Sequence, residues 1–213
     1  MIIAVDGPAA AGKGTVARGL ARHFGYHFLD TGSLYRMVGL AVLRGGGDPN
    51  DRAAAIRAAQ TLRPRTYRDE DLRGEDVGKA ASIVAVIAEV RAALLDFQRE
   101  FAGKPPGAVL DGRDIGTVVC PDADVKLYIT AAPEVRARRR MMELAERGAS
   151  VPYETVLAEI RDRDERDRGR AAAPLVAAAD AIVIDTSAMG IEEAVAAAIA
   201  ATLNRHHANP RKS

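Results

Sequence analysis

The sequence predicts an α/β fold, with five short parallel strands forming one sheet and helices packed on both faces. Three observations carry that prediction. Apolar runs at 2–5, 27–29, 108–110, 125–129 and 181–185 alternate with helical patterns, the order expected of strands buried on both sides. The first run leads through a glycine-rich turn straight into a helix. The first three runs end at Gly7, Asp30 and Asp111, at the carboxyl ends of strands, where ligands of such sheets gather, so the three are expected to converge.

Composition sets outer limits. A chain of 213 residues, 48% apolar, suits one domain over 1–213 with small insertions. No apolar run approaches the ~18 residues that cross a bilayer. The first strand begins without a basic stretch before it, which argues against a signal peptide. The lone Cys120, beside Pro121, excludes an internal disulfide, reads as packing, and suits a reducing cytoplasm. Thirty Lys and Arg against 29 Asp and Glu give a net charge of +1, so nothing draws the chain to a nucleic acid as a polyanion. Arginine concentrates at 136–140 and 161–170, local clusters suited to a small anion. A monomer with small-molecule partners, and no membrane or nucleic-acid partner, is the expectation.

In order, the strand at 2–5 runs into Gly7-Pro8-Ala9-Ala10-Ala11-Gly12-Lys13-Gly14-Thr15, and a helix follows over about 14–24. Gly-x-x-x-x-Gly-Lys between strand and helix is a phosphate-binding loop. Gly7, Gly12 and Gly14 let the backbone take positive φ and approach a polyphosphate. Successive amides and the helix N-terminus then attract the anion, and Lys13 adds a mobile charge. The position after Lys13 holds Gly14, so the hydroxyl comes one residue later, at Thr15.

The strand at 27–29 ends at Asp30, and Thr31 is the expected N-cap of a helix buried through Leu34, Val38, Ala41 and Val42. Gly45–Pro49 ends it, and another helix is expected over 51–62. Residues 63–78 are charged and turn-rich, too poor in apolar positions for a core element, and read as a surface insertion or mobile segment. One helix is expected from Val77 to Phe101. The strand at 108–110 leads to Asp111-Gly112-Arg113-Asp114, either a turn with a surface ion pair or a site where Asp111 holds magnesium directly or through water. After the strand at 125–129 come helices over 133–147 and 153–170, a strand over 181–185, a helix over 191–203 and a polar tail from Asn204. The alternating charges of 161–170 make either a solvated face or a ligand-facing stripe. In the second case Arg163, Asp167 and Arg170 share one side of a helix.

The Gly-Lys-Gly-Thr ending of the loop resembles the nucleoside monophosphate kinases. Beyond it, Leu29–Arg36, Ala80–Ala85, Asp111–Val119, Arg161–Arg170 and Ala173-Pro174-Leu175 together make the whole chain resemble bacterial cytidylate kinases. The resemblance implies a P-loop kinase fold with an acceptor-binding region at about 31–103, a short insertion near 63–78 and a lid at about 146–155. It implies transfer of the γ-phosphate of ATP to CMP or dCMP, with Mg²⁺ as cofactor. The donor would be bound by Gly7–Thr15, led by Lys13, and by Arg139, with the metal at Thr15 and Asp111. Arg36 and Arg113 would hold the acceptor phosphate, with Thr31 and Gly112 beside them. Ser82, Arg91 and Asp114 would line the cytosine, Arg163 and Asp167 the ribose, and Tyr35 would pack alongside. Arg170 would reach the phosphates between the substrates, so that Lys13, Asp111, Arg113 and Arg170 form the catalytic set. Residues 63–71 are shorter than the hairpin usual in the family. Ser82 and Arg91, nine apart, fall half a turn out of phase on one regular helix, so they share a ligand only across a bend. Competing readings are a kinase for another small acceptor, such as another nucleoside monophosphate or a shikimate-like alcohol, and a nucleotide-binding regulatory module.

Overall fold

The computed structural model describes residues 1–146 and 148–208. The chain forms two compact units, one made of Met1–Leu29 with the chain from Ala102 onward, the other of Asp30–Phe101. In the first unit β1 (Ile2–Asp6) leads through the glycine loop to α1 (Lys13–Phe24) and β2 (His27–Asp30), whose last residue begins the second unit. The second unit holds α2 (Thr31–Arg44), α3 (Arg52–Gln60), α4 (Glu75–Val84) and most of α5 (Ala88–Ala102). The chain then completes the first unit with β3 (Ala108–Gly112), β4 (Val125–Thr130), α6 (Pro133–Glu146), α7 (Tyr153–Arg168), β5 (Ile182–Asp185) and α8 (Ile191–Ala208).

The sheet order is β2-β3-β1-β4-β5, the five-stranded parallel sheet expected from the sequence. β1 is central, parallel to β3 with Val5 opposite Asp111 and Asp6 opposite Gly112, and parallel to β4 with Asp6 opposite Tyr128. Both faces of β1 are buried, which is why Ile3, Ala4 and Val5 are all apolar. Ile3, Val5, Val109, Leu127 and Ile129 pack with Val16, Ala17 and Leu20 of α1 and Ala194 and Ala198 of α8. A separate cluster joins Ala137 and Leu144 of α6 to Val156, Leu157 and Ile160 of α7. The second unit has its own core, built from Leu34, Val38 and Val42 of α2, Ala55 and Ala59 of α3, Val77, Ala81 and Val84 of α4, and Val90 and Leu94 of α5.

Several local expectations are corrected. The expected helix over 77–101 starts earlier, at Glu75, and breaks at Ala85–Ile87, where Val86 and Ile87 donate to carbonyls only three residues back. On one unbroken helix Val90 and Leu94 would lie roughly a third of a turn around from Val77, Ala81 and Val84. The break lets both groups bury in one core. Asp30, not Thr31, is the N-cap of α2, and Thr31 is its buried first residue. The 51–62 helix is shorter at both ends: Asp51 caps its start by accepting from Ala53 and Ala54 N–H, and Thr61 caps its end after Gln60. Segment 63–78 is not wholly peripheral, since Leu72 and Val77 are buried in the second core and Tyr67 packs against it. The expected helix over 153–170 ends at Arg168, with Gly169 turning the chain, so Arg170 lies outside it. The last helix continues to Ala208 rather than Leu203, and Arg205 pairs with Asp180 at 3.9 Å. Arg147, expected at the end of α6 and within the lid, lies outside the described residues, as do residues 209–213 of the tail.

Candidate functional site

The phosphate loop is held open by backbone geometry. Gly7 has φ +150°, and a Cβ there would sit 2.0 Å from the Ile129 carbonyl oxygen. Gly12, with φ +85°, precedes α1, and its carbonyl accepts from Thr15 and Val16 N–H. Two carbonyls of the loop are tied from outside it. The Ala9 oxygen accepts from Arg136 Nη1 at 3.3 Å, and the Ala11 oxygen accepts from Thr186 Oγ1 at 3.0 Å. Arg139 lies beside the loop, where a Cβ on Gly12 would be 3.9 Å from its Nη1. It donates to Thr186 Oγ1 at 3.0 Å and to the Thr186 carbonyl at 2.6 Å.

Lys13 Nζ is 3.5 Å from Asp111 Oδ1, so the register of β1 and β3 brings the loop lysine and the strand-end carboxylate together. Gly14 is the neighbouring residue that faces Asp111, because a Cβ there would be 3.1 Å from Asp111 Oδ2. The glycine after Lys13 therefore leaves the carboxylate its room. Thr15 is exposed and lines a groove of about 470 Å³ with Arg18, Gly19 and Arg22 of α1 and Ile191 and Val195 of α8.

Around Asp111, β3 runs on through Gly112 to Arg113 and Asp114. Arg113 donates from Nε to Asp167 Oδ2 at 2.9 Å and from Nη1 to the Gly112 carbonyl at 3.1 Å. Arg170, though beyond the helix, returns to bond Asp167 Oδ1. Asp167 is 1% exposed. Burial alone would raise its carboxyl, but the charges of Arg113, Arg170 and Arg163 outweigh that and hold it below the usual carboxylate range. The buried Asp167 thus gathers three arginines, and the expected ligand-facing stripe is ion-paired at its centre. Asp114 is buried, and its carbonyl accepts from Val118 and Val119 N–H to close a π-turn over Ile115–Val119.

Within the second unit, the Arg91 guanidinium lies 5.4 Å from the Tyr35 ring centroid, a cation–π contact, and donates to the Ala85 carbonyl at the helix break. The break falls between Ser82 and Arg91. Ser82 is 4% exposed, and its Oγ has no hydrogen-bond partner among the described residues. Arg36 donates from Nη1 to the Leu72 carbonyl at 2.9 Å, and a Cβ on Gly78 would stand 3.4 Å from that nitrogen. The described part of the 146–155 connection packs Ala149, Val151 and Tyr153 on the α6–α7 cluster.

Four residues escaped the sequence reading. Asp6, last in β1, is buried and accepts from the Ile115 and Gly116 amides at 2.8 Å each. Burial outweighs those two bonds and, with Asp114 and Asp111 nearby, pushes its carboxyl up to about 7. The signal was an acid wedged between an apolar strand and the glycine loop. Arg136 and Asp164 form a buried two-pronged pair at 3.0 and 2.7 Å, one member in each arginine cluster. Thr186, after the last strand, joins the loop to β4 by donating toward the Ala11 and Thr130 carbonyls.

A family model described as cytidylate kinase matches residues 3–204. A cytidylate kinase of Rhodospirillum rubrum is 58% identical over 203 residues, covering 93% of this chain and 95% of that one. One from Xanthobacter autotrophicus is 60% identical over 200 residues, covering 94% and 96%. Among solved structures, a gluconokinase from Sinorhizobium meliloti superposes with a TM-score of 0.53 at 15% identity over 99% of this chain and 97% of that one. An uncharacterized protein from Eubacterium ventriosum gives 0.56 at 15% identity over 96% and 98%. Those two likenesses concern the fold. No helix among the described residues is long and apolar enough to cross a membrane.

Proposed function

Because the chain belongs to the cytidylate kinase family, we propose that it transfers the γ-phosphate of ATP to CMP or dCMP, giving CDP or dCDP and ADP. What supports this reading most is the pairing of β1 with β3. It sets the phosphate loop after Asp6 beside the Asp111–Asp114 turn, so the groups assigned to donor and to acceptor follow adjacent strand ends. The transfer proceeds in line without a covalent enzyme intermediate, so alignment and charge compensation supply the rate. Lys13 and the loop amides hold the donor phosphates, and Arg139 lies on the donor side. Arg113 holds the acceptor phosphate and Arg170 the charge between the two, both oriented by Asp167. With both Asp167 oxygens engaged, its contact with the ribose comes second to that orienting role, and Arg163 completes the ribose contact. The assignments of Thr31, Tyr35, Arg36, Ser82 and Arg91 to CMP rest on the family pattern. Residues 146–155 act as the lid that keeps water from the donor.

The residues present fit magnesium. Among the described residues no group of three or more His, Cys, Asp or Glu side chains is placed to cage a metal. Mg²⁺ needs no such cage, because it keeps waters and substrate phosphates and asks for one or two carboxylates. Asp111, an oxygen donor beside Lys13 and the bare Gly14, is the one that would hold it, with Thr15 as the hydroxyl partner. When bound, the ion neutralises charge on the transferring phosphate.

Base choice tests the reading. Cytosine offers an amino donor where uracil offers a carbonyl acceptor, and an ionised Asp114 can only accept. A buried acceptor left without its donor costs ~1–3 kcal/mol, roughly ten- to a hundred-fold in favour of CMP. A coupled assay for ADP formation across CMP, dCMP, UMP, AMP and shikimate should show CMP and dCMP preferred. Asp114→Ala should collapse the CMP:UMP ratio of kcat/KM. A ratio kept within a few-fold of wild type, or a better acceptor elsewhere in the panel, rejects it.

A further inference from the structure

Asp6 has no part in the chemistry above, yet it is a carboxylate kept 5% exposed at the centre of the sheet. Burying such a group is costly unless fixed partners use it. Its partners are two backbone amides. Oδ1 accepts from Ile115 N–H and Oδ2 from Gly116 N–H, each at 2.8 Å. These amides open the π-turn and follow directly on Asp114, where N–H groups at the start of a helical turn have no partner within it. Both bonds are short, and they are strongest when Asp6 is ionised. Gly116 makes the approach possible. A Cβ there would stand 3.4 Å from Asp6 Oδ2 and 3.1 Å from the Lys126 side chain, so even a methyl group would press on the stem behind the carboxylate. From Asp6 the chain passes straight into Gly7, the first residue of the phosphate loop. One side chain therefore ties the first residue after the acceptor turn to the strand end from which the donor loop departs.

We infer that Asp6 is a positioning residue for the acceptor, fixing the Arg113–Asp114 turn against the donor loop so that acceptor phosphate and base are held in line with the γ-phosphate. The inference rests on the proposed CMP kinase activity. An asparagine at this place keeps one acceptor oxygen but turns an NH₂ group toward the second amide, and an alanine loses both bonds. KM for CMP should rise about tenfold in Asp6→Asn and further in Asp6→Ala. KM for ATP should stay within about threefold, since neither bond touches the loop's own contacts. The CMP:UMP ratio of kcat/KM should fall alongside.

A residue that merely stabilised the fold would lower the active fraction, scaling kcat for every acceptor and leaving KM for CMP and the CMP:UMP ratio at wild-type values. That result overturns the inference. Amide hydrogen exchange supplies a second readout, independent of turnover and available in the wild-type protein if the variants fail to fold. The Ile115 and Gly116 amides should be protected well beyond ordinary loop amides, and in Asp6→Asn at least one should exchange fast. Rapid exchange at both in wild type, or unchanged protection in Asp6→Asn, overturns it as well. If the wild type does not phosphorylate CMP, the proposed function fails, while the exchange data still decide whether Asp6 pins the turn.

Discussion

Replacing Arg136 by methionine should be the most damaging single change at a residue assigned no substrate contact. Arg136 is 1% exposed and Asp164 3%, and the guanidinium meets both carboxylate oxygens while donating also to the Ala131 and Ala9 carbonyls. Methionine fills much of the same volume but strands Asp164. Its remaining cation, Arg168, stands at 3.8 Å on a side chain 62% exposed, too well solvated to compensate. Breaking a buried pair by removing one partner costs about 3–5 kcal/mol, on the order of 10 °C in Tm for a chain of this size. Urea and thermal unfolding followed by circular dichroism would measure it. The double variant Arg136→Met/Asp164→Leu removes the stranded charge and should recover part of the loss. The freed Ala9 carbonyl should raise KM for ATP and leave KM for CMP alone. If Arg136→Met costs less than about 1 kcal/mol, or the double variant is less stable than the single, the energetics assigned to this pair are wrong.

Lys13→Ala should fold normally and lose about 10²–10³ in turnover, as when one preorganised charge contact to a reacting group is removed. A folded variant keeping more than about a tenth of wild-type turnover would refute that role. For pH, Asp6 titrates near 7 when folded against 3.8 in a free chain, so its protonated form favours the fold. That stability is fully present below about 4 and drains away as pH rises toward 7. Relative to Asp6→Asn, wild type should lose about 2–3 kcal/mol of unfolding free energy between pH 5 and 8 in nucleotide-free protein. Asp167, held below 3.8, acts in the opposite sense, with stability present above that value and lost as acid reaches its folded pKa. Parallel pH profiles for wild type and Asp6→Asn would show that Asp6 does not titrate as stated.

The sheet, the glycine loop and the approach of Asp111 to that loop were legible because each depends on local periodicity or on the rule that ligands gather at strand ends. The charge run 161–170 was not, because it offers Asp162, Asp164 and Asp167 as equivalent acids. Only Asp164 and Asp167, three apart, face inward, and their partners Arg136 and Arg113 lie 28 and 54 residues away. The break at Ala85–Ile87 carries no Gly or Pro to announce it, and arises where two apolar stripes of different phase must enter one core. Gly14 looked like a missing hydroxyl, and its reason, the Asp111 carboxylate facing it, belongs to a strand almost a hundred residues later.

β1, the central strand, is made before both strands that flank it, which follow more than a hundred residues later. At roughly 5–20 residues per second, β1 waits some 5–20 s for β3. Meanwhile the second core, whose buried members span Leu34 to Leu94, has all its residues available before β3 is made. The phosphate loop is later still. Its Ala11 carbonyl is fastened by Thr186 across 175 residues, so β5 and the residue after it must emerge before the loop acquires that anchor. The residues that define the loop are therefore made long before Thr186, and a nascent chain carries them without the bond that fastens the Ala11 carbonyl.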